Sequence, residues 1–263
     1  MIAFSDNVQI RKDGPCGTIL INRPDRRNAL SREIVESLIQ SLEDFYAEKS
    51  IRTVILTGAG DTFCSGTDLH QLKETAEGKN SLEVWHRDAQ RFLNLVEKML
   101  RFPKPIIASV NGWVVGSGMA LMLASDIVVA GEESKLLMPE ALRGLNAGIT
   151  TPLLSFRVGT GMASSLLYSA SPVGANDALN LGLFHEAVDD DLVWARSFEL
   201  ARQCASGARE SHQMTKQMIN ETIGENLFTQ LSIGAANMAA ARTTPAALEG
   251  VNAFLEKRDP KWD

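Results

Sequence analysis

The spacing of apolar positions changes partway along this chain. Short β-branched or continuously apolar runs at residues 17–22, 52–57, 105–110, 127–130 and 135–138 predict strands. Between the first two, Ile34, Leu38, Leu42 and Phe45 recur at helical spacing behind Ser31, a good N-cap. They predict a helix from Ser31 to about Lys49. A second helix is expected over 81–100 and a short buried one over 118–124. Residues 23–28 read as a polar turn, and the segment from Gly58 to Asp68 as a loop. After about Pro152 the pattern turns helical, apart from a strand at 184–188. From Asp190 onward three or four helices are expected. The last is signalled by Thr244 as cap, Pro245 at the first helical position, and Ala247, Leu248, Val251 and Leu255 behind it. There is no internal repeat and no low-complexity linker. The picture is an α/β body over residues 1–195 followed by a helical part over 196–263.

Composition narrows the classes of partner. The chain has 263 residues, with 26 Lys and Arg against 32 Asp and Glu, a formal charge of −6. That acidity speaks against nucleic acid, whose phosphates call for an excess of cations. It leaves room for a local basic site that takes one phosphorylated group. The three cysteines, Cys16, Cys64 and Cys204, form no CxxC pair. Neither a metal site nor a disulfide framework is expected, and a reducing cytoplasm is the simplest compartment. The N-terminus carries Asp6 and no long apolar core, so it does not read as a secretory signal. The most apolar region, residues 105–131, is broken by Asn111, Asp126 and four glycines. It reads as strand, turn, helix and strand rather than as a membrane span.

Three loops could carry chemistry. Asp61-Thr-Phe-Cys-Ser-Gly-Thr-Asp-Leu69 has small residues at Cys64, Ser65 and Gly66 that let a ligand approach the backbone; it also reads as a plain strand-to-helix turn. Asn111-Gly-Trp-Val-Val-Gly-Ser-Gly118 follows a buried strand and opens a buried helix, which leaves free N–H groups. Leu121 stands where a dinucleotide fingerprint would need its third glycine, and Gly58-Ala-Gly60 lacks one too. In Met138-Pro-Glu-Ala141, Glu140 directly follows an apolar strand. Desolvation there would raise its pKa toward that of a useful base; the alternative is an exposed glutamate at a helix start.

Together these stretches resemble the crotonase, or enoyl-CoA hydratase/isomerase, superfamily. The resemblance runs through Asn22-Arg-Pro-Asp-Arg-Arg-Asn-Ala-Leu30, Phe63-Cys-Ser-Gly-Thr-Asp-Leu69, and Lys104-Pro-Ile-Ile-Ala-Ser-Val-Asn-Gly112 with Gly116-Ser-Gly118. It continues in Ser125-Asp-Ile-Val-Val-Ala130, in Pro139-Glu140 and in the stretch from Glu249 to Arg258, so it spans essentially the whole chain. It implies a spiral of β-β-α units with a helical C-terminal trimerisation region, and a homotrimer or dimer of trimers. It further implies an acyl-CoA thioester as substrate, with coenzyme A carried by the substrate and no tightly bound cofactor. Two main-chain N–H groups, here those of Thr67 and Ser117, would bind the thioester oxygen. Such donors stabilise an enolate far more than the neutral ester.

Hydratases of this family use two glutamates. The second matches Glu140, whereas the first falls at Ala120, which cannot move a proton. One carboxylate suffices for a 1,3 shift of a double bond, so isomerisation is expected ahead of hydration. Hydration would need another group to orient water, and His86 and Asp88 are the nearest choices. The resemblance also implies substrate or CoA contacts at Arg26, Ala29, Ser65, Gly66, Asp68, Leu69, Trp113 and Gly116, with Phe254 and Lys257 reaching a neighbouring subunit's nucleotide. Arg27 is expected in solvent, and Cys64 as a small residue rather than a nucleophile. Two other readings remain: a serine hydrolase using Ser117, which lacks a GxSxG motif, and a CoA-binding protein without activity.

Overall fold

The structure, a computed structural model, describes residues 2–5 and 7–262. The N-terminal reading that rests on Met1 and Asp6 lies partly outside the described residues. The chain opens with β1 (Ile2–Ser5), β2 (Val8–Asp13) and β3 (Cys16–Ile21), followed by α1 (Arg32–Ala47). Then come β4 (Thr53–Gly58), β5 (Thr62–Cys64), α2 (Leu69–Ala76) and α3 (Ser81–Arg101). The next turn is β6 (Ile106–Val110), β7 (Trp113–Val115) and α4 (Ser117–Leu123). It leads to β8 (Ile127–Gly131), β9 (Lys135–Leu137), α5 (Thr150–Ser169, broken at Gly159), β10 (Val173–Gly174), α6 (Ala175–Asn180) and β11 (Glu186–Val188). Four helices finish the chain: α7 (Val193–Ala205), α8 (Arg209–Gln217), α9 (Leu227–Ala241) and α10 (Pro245–Leu255), with a π-helical turn at Met218–Ile223.

The strands alternate between two sheets. The larger has the order β1-β2-β3-β4-β6-β8-β11, antiparallel up to β3 and parallel from there on. The smaller has the order β10-β9-β7-β5, with β5, β7 and β9 parallel. Each turn therefore lays one long strand in the first sheet and one short strand in the second, then returns by helix. This is the β-β-α spiral.

Both faces of the large sheet are covered, which explains the unbroken apolar runs of β4 and β6. Val54, Leu56, Ile106 and Ala108 face the main core with α1, α3 and α9. The alternate positions, Ile55, Ile107 and Val129, face Ala201 of α7. The Ser31 hydroxyl caps α1 by accepting from the Ile34 amide at 3.3 Å, and Thr244 caps α10 by accepting from Ala247 at 3.2 Å.

Several elements depart from the sequence expectation. β1 and β2 extend the sheet ahead of the first predicted strand. β5 and β7 fall inside predicted loops, and α2 fills a stretch read as having no element. Three-residue strands are too short to set a period, and their pairing partners lie about 50 residues away or about 20 residues on.

Candidate active site

The three chemistry-bearing loops leave the carboxyl ends of β5, β7 and β9, which are neighbours in the small sheet. Adjacent parallel strands lie about 5 Å apart, so residues distant in sequence converge at one edge. The first loop is held by Asn28, which is fully buried in a left-handed conformation (φ 55). Its amide donates to the carbonyls of Thr62 (2.5 Å) and Ala59 (2.9 Å). Leu30 N–H donates to Gly66 O at 2.7 Å, and Asp68 N–H to Leu30 O at 3.1 Å. This parallel bridge points the Thr67 N–H the other way, where no acceptor meets it among the described residues. The Ser117 N–H opens α4 and likewise has no intrahelical acceptor.

The two loops touch. Gly66 has φ +83, and a Cβ added there would lie 2.9 Å from Ser117 N and 2.7 Å from Val115 O. The Thr67 and Ser117 hydroxyls are hydrogen-bonded at 2.9 Å. Glu140 comes from the third strand. Its Oε1 would lie 3.3 Å from a Cβ placed on Gly116, so the carboxylate sits against this turn, and the φ of +55 there favours glycine. The Glu140 Oε2 is buried with no hydrogen-bond partner. Burial pushes this carboxyl up to about 7 against a weak opposing backbone hydrogen bond.

These groups line a cavity of about 640 Å³. Of the expected contacts, Arg26, Ala29, Ser65, Thr67, Asp68, Leu69, Trp113, Gly116, Ser117, Glu140 and Phe254 are on its wall. Gly66 shapes the loop behind it. Lys257 is exposed and off the wall. Arg27, expected in solvent, is exposed yet on the wall.

Trp113 is 36 % exposed, with the Lys135 ammonium 5.6 Å from its ring centroid, so it is a wall and not core packing. The Asp68 carboxylate is occupied: it pairs with Arg23 at 2.6 Å and caps α2 through the His70 and Gln71 amides. Burial alone would raise Asp68, but the Arg23 and amide hydrogen bonds outweigh it and leave the group below its ordinary value.

Ala120 is fully buried and offers a methyl where a second acid would stand. His86 is exposed and off the cavity, and Asp88 is held by Arg32 at 2.7 and 2.8 Å. Cys64 is fully buried, and desolvation drives its thiol up to about 12, which removes it as a nucleophile. No histidine among the described residues bonds to Ser117, so the hydrolase reading lacks its base.

Comparison with known proteins places the chain in a family. The family model described as enoyl-CoA hydratase/isomerase matches residues 12–263. The chain belongs to the enoyl-CoA hydratase/isomerase family. A short-chain-enoyl-CoA hydratase of Clostridium acetobutylicum is 30 % identical over 257 residues, covering 96 % of each chain. A 1,2-epoxyphenylacetyl-CoA isomerase of Escherichia coli is 32 % identical, covering 93 % of this chain and 94 % of its own. A crystal structure of an enoyl-CoA hydratase/isomerase from Pseudoalteromonas atlantica superposes with a TM-score of 0.84 at 30 % identity, covering 98 % of this chain and 100 % of the other.

Within this family frame, two arginines on the cavity escaped the sequence reading. Arg143 follows Glu140 by three residues and stacks over Phe254 at 4.3 Å. Arg242 ends α9 behind three alanines. A cation breaking an otherwise small and apolar stretch was the available signal for the second.

Proposed function

We propose that this chain isomerises enoyl-CoA thioesters, with Glu140 as sole acid and base and the amides of Thr67 and Ser117 as oxyanion donors. The observation that carries the reading is the Glu140 carboxyl, its Oε2 buried without a partner beside Gly116 while Ala120 supplies no second acid. Glu140 takes a C2 proton from a 3-enoyl thioester. The electron pair spreads through the dienolate onto the thioester oxygen, where the two amides meet the new charge. The protonated Glu140 then returns the hydrogen to C4, giving the 2-enoyl product and restoring the carboxylate.

Coenzyme A arrives with the substrate. The exposed Arg26 and Arg27 suit its phosphates, and Ala29 leaves room along the same wall. A homotrimer or dimer of trimers in the cytoplasm fits this reading. Apolar side chains exposed on α8 and the turn after it, Met214, Met218, Ile219 and Ile223, support self-association.

Hydration is the second reading, favoured by the hydratase names among the relatives. Mass-resolved turnover of a mixed 2-enoyl- and 3-enoyl-CoA panel in heavy water separates the two. Bond migration is expected, with deuterium at C2 and C4 only to the extent that the Glu140 proton exchanges with solvent, and net water addition would replace isomerisation by hydration. Glu140→Gln should lower turnover by roughly 10²–10⁴-fold while thioester binding survives. Full turnover by that variant would sink the assignment.

A further inference from the structure

The main cavity adjoins a smaller one of about 240 Å³, walled by α1, α2, α3 and the end of α9, with Thr67 and Ser117 lining both. The two share Thr67, Asp68, Phe92, Ser117, Met238 and Arg242. With a thioester at Thr67 and Ser117, this adjoining chamber is within reach of the far end of an acyl chain.

Its lining holds hydrogen-bond donors without acceptors. Arg242 is 92 % buried, as its 8 % exposure shows, and its guanidinium makes no hydrogen bond or ion pair among the described residues. Burial lowers this group to about 10, and Asp88 supplies its main opposing charge. That carboxylate is itself occupied: Arg32 holds both of its oxygens, and the same arginine also reaches Thr75 at 2.6 Å. Trp85 is 6 % exposed, and its indole Nε1–H is buried without a partner. The other acids on this wall are likewise engaged, Asp68 by Arg23 and Glu36 by Arg91 at 2.8 Å. An arginine fork open to a partly apolar chamber, beside a buried indole N–H without a partner, suits a ligand that supplies oxygens and a negative charge.

We propose that the acyl group this enzyme accepts ends in a carboxylate, bound by Arg242 and Trp85 in the smaller chamber. The substrate class is then the mono-CoA thioester of an unsaturated dicarboxylic acid. A carboxylate fits because it takes two parallel N–H bonds from a guanidinium and retains lone pairs for the indole. The proposal rests on the thioester sitting at Thr67 and Ser117.

The test is equilibrium binding, which needs no turnover. Calorimetry on the full-length protein compares the saturated mono-CoA thioesters of C6, C7 and C8 dicarboxylic acids with the matching monocarboxylic thioesters. At the best chain length the dicarboxylic ligand should bind at least about tenfold tighter, the scale of one hydrogen-bonded charge in a buried site. Arg242→Met should bring that ratio to about one, and Trp85→Phe should reduce it severalfold. Arg242→Lys keeps the charge without the fork and should retain only part of the preference.

A ratio near one in the wild-type protein, or one that Arg242→Met leaves unchanged, overturns the carboxylate assignment and leaves the isomerase reading standing. Failure of every CoA thioester to bind overturns both. Hexanoyl-CoA binding that tightens on addition of free acetate, with no preference for the dicarboxylic thioester, would assign the chamber to a separate small carboxylate and overturn the proposal.

Discussion

Burial keeps the Glu140 carboxyl protonated up to about pH 7, and rate and stability should both bend there. As a base it works ionised, so kcat/KM for bond migration should fall about tenfold per pH unit below roughly 7 and level off above it. Stability runs the opposite way. Below about 4.5 the group is protonated in folded and unfolded chains alike. Between 4.5 and 7 the unfolded chain releases the proton while the folded one retains it, so stability drops as pH rises; above 7 the penalty is constant. The shift corresponds to on the order of 3 kcal/mol. Glu140→Gln cannot ionise, so its stability relative to wild type should improve by up to that amount between pH 4.5 and 8. Urea midpoints at the two pH values measure this, and an unchanged difference would mean that the carboxyl is not desolvated. That a glutamate after an apolar strand could be so placed was legible in the chain. That Gly116, 24 residues earlier, leaves the space for it was not, because their proximity comes from the pairing of β7 with β9.

Helices announced themselves better than short strands at the scale of elements. α1 and α3 lie within two residues of their expected bounds and α10 starts at the expected Pro245; each carries an apolar stripe, and α1 and α10 also have a capping side chain at the start. Thr244→Ala should cost about 1 kcal/mol through loss of the α10 cap, read as a lowered midpoint in thermal unfolding. The junction of the loops after β5 and β7 is a sharper test. In Gly66→Ala the new methyl would collide with Val115 O and sit on Ser117 N, in a backbone region that disfavours any side chain. The two amides would be spread apart, and kcat should fall by roughly 10²–10³, the size of losing one oxyanion donor. Circular dichroism should still report a folded protein. A variant with full kcat would show that the pair of amides does not bind developing charge.

For the whole molecule, the C-terminal helices are tied to the sheet by a charge pair. Lys216 of α8 is buried and donates to Asp126 at 2.7 Å, and the same oxygen accepts from Ile106 N–H at the start of β6. Desolvation lowers Lys216, with the charge of Asp126 opposing it. Lys216→Met removes one partner and should destabilise the fold by about 3 kcal/mol, the low end for a broken buried pair because Asp126 reaches solvent. Denaturant titration followed by far-ultraviolet circular dichroism would register it.

The sequence by itself determined the long helices and the longer central strands, the alternation that makes the protein α/β, and the glutamate and turns that could do chemistry, since periodicity and capping are local properties. Only the tertiary structure decided that β5, β7 and β9 lie side by side, that Asp68 and Asp88 are already paired, and that Arg242 and Trp85 line one chamber without hydrogen-bond partners of their own. Those are contacts between residues tens to more than a hundred positions apart. They depend on the winding of the spiral, which no local window contains.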